Sequence, residues 1–363
     1  MSIPVGRCET TTLNLEPYLR LMAEHKASDL YLSVGATIKI RVEGRLGSIG
    51  KTALDDALLN NVLEYHLTEE QRASFAKQGQ VDTALQLEGL GRYRLNVFRQ
   101  RGQPAMAVRF IPESIPDLDT LGLPGIISDL AQLRRGLILV VGSTGAGKST
   151  TLASLLDWRN AHHAEHILTV EDPIEYTFIN KKSVVNQREI GTDVTSYEKA
   201  LLSALRASPD VVMIGEIRDR ATMSSVLELA TTGHVVFATL HTGNAYQALE
   251  RILNLYPVDA HRQIVTDLGE VLRAVIAQRL VPNKEERLVA AVEVMLNTPH
   301  IADLIRKGEI GQLHEAMENS REQGMQTFDR ALARLYEQGT ISLETALTHA
   351  DSRSNLESIL RFG

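Results

Sequence analysis

Between residues 136 and 141 the chain reads GLILVV, an unbroken apolar run that passes directly into glycine-rich text. Runs that are apolar throughout and too short for a helix mark strands buried on both faces. HILTV, DVVMIG and VVFATL repeat the pattern, separated by stretches with helical spacing such as SYEKALLSALRA and TMSSVLELATT. Strands alternating with helices predict an α/β architecture with a mainly parallel sheet.

The N-terminal part is patterned differently. LNLEPYLRLMAEHK, residues 13 to 26, places Leu15, Leu19 and Met22 on one helical stripe. SDLYLSV, TIKIRVEGRL and VDTALQL predict short strands, with ALDDALLNNVLEYHL a helix between them. GRYRLNVF and AMAVRFI flank RQRGQP, whose Gly102 and Pro104 predict a hairpin loop. Within GRYRLNVF, Arg92, Arg94 and Asn96 alternate with Tyr93, Leu95 and Val97, so one face is basic and the other apolar.

IPESIPDLDTLGLP, from Ile111 to Pro124, holds three prolines and little periodicity, as a linker does. The expected division is a small domain over 1–112, a linker over 113–124, a core domain over 125–295 and a helical region over 296–363. IISDLAQLRR opens the core domain as a helix. The last third reads as mostly helical: QALERILNLY, VTDLGEVLRAVIAQRL, IADLIRKG and TFDRALARLYEQG, the last with Phe328, Leu332 and Leu335 on one stripe.

Composition narrows the function classes. A chain of 363 residues with 44% hydrophobic and 23% charged positions suits two globular domains and excludes a disordered or fibrous one. The net charge of −7 argues against a general nucleic-acid binder. Cys8, the one cysteine, leaves no intrachain disulfide or cysteine-rich zinc site and fits a reducing cytoplasm. The N-terminal text has no apolar signal core, and no segment runs ~18 apolar residues, so only peripheral membrane contact is expected.

The chemistry centres on GSTGAGKS, residues 142 to 149, between a strand and a helix. Gly142, Gly145 and Gly147, with Ser143, Thr144 and Ala146, let backbone N–H groups approach phosphate at a helix N-terminus. Lys148 supplies charge for the β/γ-phosphates, Ser149 a Mg²⁺ ligand, and Thr150 a donor toward the α-phosphate. This is a P-loop, and it predicts hydrolysis of a nucleoside triphosphate. Glu216 ends its strand on the edge where such sheets bind ligands, and could hold Mg²⁺ through water. EDPIEY offers Glu171, Asp172 and Glu175, any of which could orient the attacking water, while Asp172 and Pro173 also read as a turn. His241, just past VVFATL, could report a γ-phosphate; His234 precedes that strand, and either could instead be a packing residue. His162, His163 and His166 read as a solvated loop rather than a metal site. Arg92, Arg94, Arg99, Arg101 and Arg109 crowd the hairpin; a solvated face or an arginine finger reaching a neighbouring subunit's nucleotide both fit.

GSTGAGKS, EDPIEY, VVNQREIG, DVVMIGEIRD and TGHVVFATLHT, in that order, resemble the secretion ATPases of type II secretion and type IV pili. Within them the chain is similar to the PilT/PilU-type pilus retraction branch. The resemblance implies an N-terminal PAS-like α/β domain, a RecA-like ATPase domain and a helical C-terminal extension, arranged in a hexameric ring. It implies ATP and Mg²⁺ as cofactors, Glu175 as catalytic base, Glu216 as the Walker-B-type glutamate, and His234 with His241 as the family's histidine pair. It also implies that hairpin arginines such as Arg94 and Arg109 contact nucleotide in trans. The ring would act on a pilus platform protein from the cytoplasmic face of the inner membrane. Extension members carry a tetracysteine segment that this sequence lacks. HIADLIRKGEI stands where PilT-type members read AIRNLIRE, and MENSREQGMQTFDRAL looks closer to PilU. An accessory motor in a homo-hexamer or a mixed ring is therefore expected. A type IV secretion motor and a nucleotide-binding module with little turnover stay open as alternatives; a nucleic-acid translocase is disfavoured by charge and by the lack of a stacking platform.

Overall fold

The structure is a computed structural model and describes residues 14–25, 27–42, 45–87, 90–111, 114–320 and 323–362. Cys8 and the linker positions Pro112 and Glu113 lie outside them. The chain divides into two compact units, Met1–Ser114 and Ile115–Gly363.

The first unit contains α1 (Glu16–Glu24), β1 (Asp29–Ser33), β2 (Thr37–Val42), β3 (Arg45–Ala53), α2 (Asp56–His66), α3 (Glu69–Gln78), β4 (Gln80–Leu87), β5 (Gly91–Gln100) and β6 (Gln103–Ile111). Its six strands form one sheet in the order β3-β2-β1-β6-β5-β4. Every pairing between these strands is antiparallel, so the parallel sheet belongs to the second unit. TIKIRVEGRL, expected as one strand, folds back on itself as β2 and β3. Leu15, Leu19 and Met22 are fully buried, packing with Leu59, Val62, Tyr93, Leu95 and Val97 on one face of the sheet. Arg99 lies over the Phe75 ring of the core, while the alternation in β5 aims Arg92 and Arg94 at the other face. There Arg94 and Arg109 are direct cross-strand partners, and Asp29 faces Arg109 from β1.

The second unit runs α4 (Ile126–Leu130), β7 (Gly136–Val141), α5 (Lys148–His162), β8 (His166–Glu171), β9 (Val184–Glu189), α6 (Tyr197–Ala207), β10 (Val211–Ile214), α7 (Arg220–Thr231), β11 (Val235–Leu240), α8 (Ala245–Leu253), α9 (His261–Val271), β12 (Leu272–Pro282) and β13 (Leu288–Leu296). After these come α10 (Pro299–Lys307), α11 (Leu313–Glu318), α12 (Phe328–Glu337), α13 (Leu343–His349) and α14 (Arg353–Phe362). Seven strands are ordered β13-β12-β7-β11-β10-β8-β9. All neighbours run parallel except β12 and β13, which form an antiparallel hairpin at one edge.

The expected helix VTDLGEVLRAVIAQRL is half wrong: it stops at Val271, and Leu272 onward is strand β12. The physical reason is burial. Ala274, Val275, Ile276 and Ala277 are all fully buried, alternately on the two faces of the sheet, and such text has no period that separates helix from strand. Leu118, within the expected linker, is buried in the second unit's core, and Leu123 packs against that core. On α12, Phe328 and Leu332 are fully buried and Leu335 packs against the same core, so that stripe is the inner face of the helix.

Candidate active site

Parallel strands bring their carboxyl ends to one edge of the sheet, and four of them deliver the candidate residues there. β7 leads into the GSTGAGKS loop, β8 ends at Glu171, β10 leads through Gly215 to Glu216, and β11 leads to His241. The loop is shaped by its glycines. Gly145 and Gly147 have φ of 80° and 88°, where an L side chain is strained. At Gly142 an added Cβ would lie 2.6 Å from the Gln278 carbonyl oxygen of β12, so the loop is pressed against that strand. Thr151, in the first turn of α5, donates to the Gln278 side-chain oxygen at 3.0 Å.

Lys148 is buried, and its ammonium donates to the carbonyls of Gly142 (2.8 Å) and Ser143 (2.9 Å). Burial lowers its pKa, while the nearby carboxylates of Glu216 and Glu175 pull it back up. His241 sits between the two ends of the site. Its Nδ1 is 3.4 Å from the Lys148 ammonium and its Nε2 is 3.4 Å from the Glu216 carboxylate. With the hydrogen on Nε2, one imidazole accepts from the lysine and donates to the glutamate. Glu216 is also paired, at 2.6 Å, to Arg218, whose guanidinium reaches Asp172 at 2.8 Å. These contacts raise the Arg218 pKa, led by its hydrogen bond to Glu216.

The structure separates the three carboxylates of EDPIEY. Glu171 is buried and accepts hydrogen bonds from Thr169 (2.6 Å) and Gln187 (3.1 Å), and burial pushes its pKa up. Asp172 is tied to Arg218, and the bond from Asp172 to Pro173 is cis. Glu175 is exposed, and its carboxylate has no hydrogen bond or ion pair among the described residues. The segment bearing it is held by β9. Glu189 accepts from the Ile174 N–H at 3.1 Å, while Gln187 accepts from the Phe178 N–H and donates to the Tyr176 carbonyl. That is the local work of VVNQREIG, a motif whose strand sequence reasoning did not assign.

The remaining candidates lie apart along the chain. His234 lies before β11 and His241 after it, so the strand holds them roughly 20 Å apart. His234 instead has Nδ1 3.0 Å from the Leu229 carbonyl, which is a local packing role. Arg94 and Arg109 belong to the first unit, where Arg94 is 3.4 Å from Asp82 and Arg109 is 3.0 Å from Asp29. Thr150, expected to donate toward phosphate, shares a hydrogen bond of 2.9 Å with the Tyr176 hydroxyl. His162 ends α5 rather than lying in a loop, stacked on Trp158 at 4.4 Å between ring centroids. Arg218 and Gln278 were missed. Arg218 had a signal in its position two residues after Glu216; Gln278 had none, because its text reads as helix.

Oxygen donors suited to a hard cation are in place. The Ser149 hydroxyl has no hydrogen-bond partner among the described residues, and the Glu216 carboxylate lies at the same sheet edge, half-buried.

Comparison with known proteins agrees with this geometry. The family model described as "Type II/IV secretion system protein" matches residues 14–288. The type IV pilus ATPase PilU of Pseudomonas aeruginosa is 45% identical over 352 residues, covering 97% of this chain and 92% of that protein. The pilus retraction ATPase PilT of the same organism is 37% identical, covering 94% of this chain and all of PilT. A crystal structure of the pilus retraction motor PilT with bound ADP superposes with a TM-score of 0.87 at 39% identity, over 94% of this chain and 98% of that one. With its two α/β units, its phosphate loop and an alignment to PilU along almost its whole length, this chain belongs to the type II/IV secretion system ATPase family.

Proposed function

We infer that this chain is an ATP-hydrolysing motor that powers or assists withdrawal of type IV pili, working as a homo-hexamer or in a mixed ring with a sister retraction ATPase. The observation that carries it is the meeting of the GSTGAGKS loop, Glu216, His241 and the EDPIEY segment at one sheet edge. In this reading ATP lies on the loop with its phosphates at the N-terminus of α5. Lys148 leaves the carbonyls of Gly142 and Ser143 for the β/γ-phosphates. Glu175, the unpaired carboxylate, takes the proton of the attacking water. His241, already bridging Lys148 and Glu216, senses the γ-phosphate. Magnesium, held by Ser149 and through water by Glu216, would neutralise charge on the β/γ-phosphates. His234 has no part in the chemistry of its own chain, and Arg94 or Arg109 would serve a neighbouring subunit's nucleotide.

The assignment to retraction rests on the near full-length similarity to proteins named PilU and PilT. The partner would be a platform protein of the inner membrane, met from the cytoplasmic side; among the described residues no helix is long and apolar enough to cross a membrane. The test is phosphate release from Mg²⁺-ATP. Lys148→Ala, Glu175→Gln and Glu216→Gln should each lower turnover at least ~100-fold, with Glu175→Gln still binding ATP. A wild type that binds ATP but releases no phosphate above these variants, whether alone or mixed with a sister retraction ATPase, overturns the motor reading.

A further inference from the structure

On β12, Gln278 and Arg279 leave the strand on opposite faces. Gln278 meets α5 and the phosphate loop. Arg279 gathers groups from three distant stretches. Its Nη2 donates to the Gly243 carbonyl (3.3 Å) and its Nη1 to the His349 carbonyl (3.2 Å). Nη1 also pairs with Asp351 at 2.7 Å, and the guanidinium carbon lies 3.8 Å from the centroid of the Phe328 ring.

Each contact has a fixed position relative to the rest of the fold. Gly243 lies two residues after His241, in a loop pinned by Gln247, which accepts from the Gly243 N–H (3.0 Å), and by buried Glu293, which accepts from the Ala245 N–H (2.8 Å). On the far side, Asp329 accepts from the N–H groups of Asp351 (2.9 Å) and Ser352 (3.3 Å) and from Asn355 (3.2 Å). The connection between α13 and α14 is thus tied to the first turn of α12. One side chain joins that connection to the loop carrying His241.

We propose that Arg279 is a positioning residue that couples the His241 loop to the C-terminal helices, so that filling the phosphate site moves residues 343–352 and those residues in turn set His241. The proposal rests on the reading of the site as an ATPase. When phosphate draws His241 away from Glu216 and Lys148, Gly243 shifts with it and pulls one edge of a planar group whose other edge holds His349 and Asp351. A guanidinium transmits this because its donors lie in one rigid fork and its face stacks on an aromatic ring; an ammonium has neither property.

The experiment compares the full chain with Arg279→Lys, Arg279→Gln and Asp351→Asn in two readouts: steady-state kcat and KM for Mg²⁺-ATP, and hydrogen exchange of residues 343–352 with and without a non-hydrolysable Mg²⁺-ATP analogue. Arg279→Lys should lower kcat at least ~10-fold while KM stays within ~3-fold, the pattern of a lost transition-state effect. It should also abolish the nucleotide-dependent change in exchange at 343–352 while leaving the nucleotide-free exchange of β7 as in wild type. Asp351→Asn, which keeps the contact to Gly243, should abolish that change with a smaller loss of kcat, and it decides the matter should Arg279→Gln fail to fold. Exchange at 343–352 that ignores the ATP analogue in the wild type, or still responds to it in Arg279→Lys, overturns the coupling. A wild type without ATPase activity would refute the functional reading, while the exchange comparison would still decide the coupling.

Discussion

Arg159, near the C-terminal end of α5, offers the sharpest energetic test, because it is a cation with 1% exposure. It makes a forked pair with Glu165 at 2.9 and 2.6 Å and donates to the carbonyls of Ala131 (2.8 Å) and Leu133 (2.6 Å), so it anchors the helix that begins with Lys148. Arg159→Met keeps most of the stem and removes the guanidinium. Glu165, mostly buried, then loses its partner, and breaking a buried pair from one side costs about 3–5 kcal/mol. Two unpaired carbonyls add on the order of 1 kcal/mol, so a loss of about 4–6 kcal/mol is expected. For a unit of this size that corresponds to roughly a 10–20 °C fall in Tm. The assay is built in: Trp158, the single tryptophan, adjoins Arg159 and packs against the second unit's core. Its fluorescence through a urea titration follows that unit alone. Adding Glu165→Leu should restore about half the loss, because the orphaned charge disappears. A single variant within about 1 kcal/mol of wild type would refute the reasoning.

Gly142→Ala should weaken Mg²⁺-ATP binding about tenfold, since its Cβ would stand 2.6 Å from the Gln278 carbonyl and overpacking costs about 1–3 kcal/mol; a fluorescent nucleotide titration checks it. Burial raises the Glu293 pKa to about 7. Because the folded state then holds its proton more tightly than the unfolded one, this group's contribution to stability is full below its ordinary range and is lost as pH rises toward 7. Glu293→Gln should therefore gain stability relative to wild type by up to roughly 3 kcal/mol between pH 4.5 and 7.5, and urea titrations at both pH values with no such gain would contradict the burial argument. Arg94→Ala and Arg109→Ala should lower turnover of the assembled protein ~1000-fold in one or both cases while sparing nucleotide binding; unchanged turnover in both removes the trans-arginine role.

The phosphate loop was legible because its chemistry is contiguous: strand, glycines, lysine and helix start fall within a single stretch of text. Glu216 and His241 were legible for a related reason, since each follows its own apolar strand and parallel strands deliver their ends together. The residues of EDPIEY by themselves left the roles of Glu171, Asp172 and Glu175 open, and only the resemblance singled out Glu175. They differ through Gln187 and Arg218, which come from other elements, and only the fold shows that two are engaged and one is free. LRAVIAQRL failed for a different reason. A strand covered on both faces loses its alternation, so the text that supplies Gln278 and Arg279 looked like the continuation of α9.

The order of strands also bears on how the protein is made. β7, which carries the phosphate loop, is hydrogen-bonded on one side to β11 and on the other to β12, so its second neighbour is finished only at Pro282. At ribosomal speed the wait is on the order of ten seconds. Until then Leu137, Ile138, Leu139 and Val140 lack part of the sheet that buries them, a non-local pairing of the kind that folds slowly and exposes sticky edges. Synthesis of this chain should therefore lean on chaperones at that stage, and a version cut before Pro282 would carry GSTGAGKS intact in its text without the scaffold that shapes it.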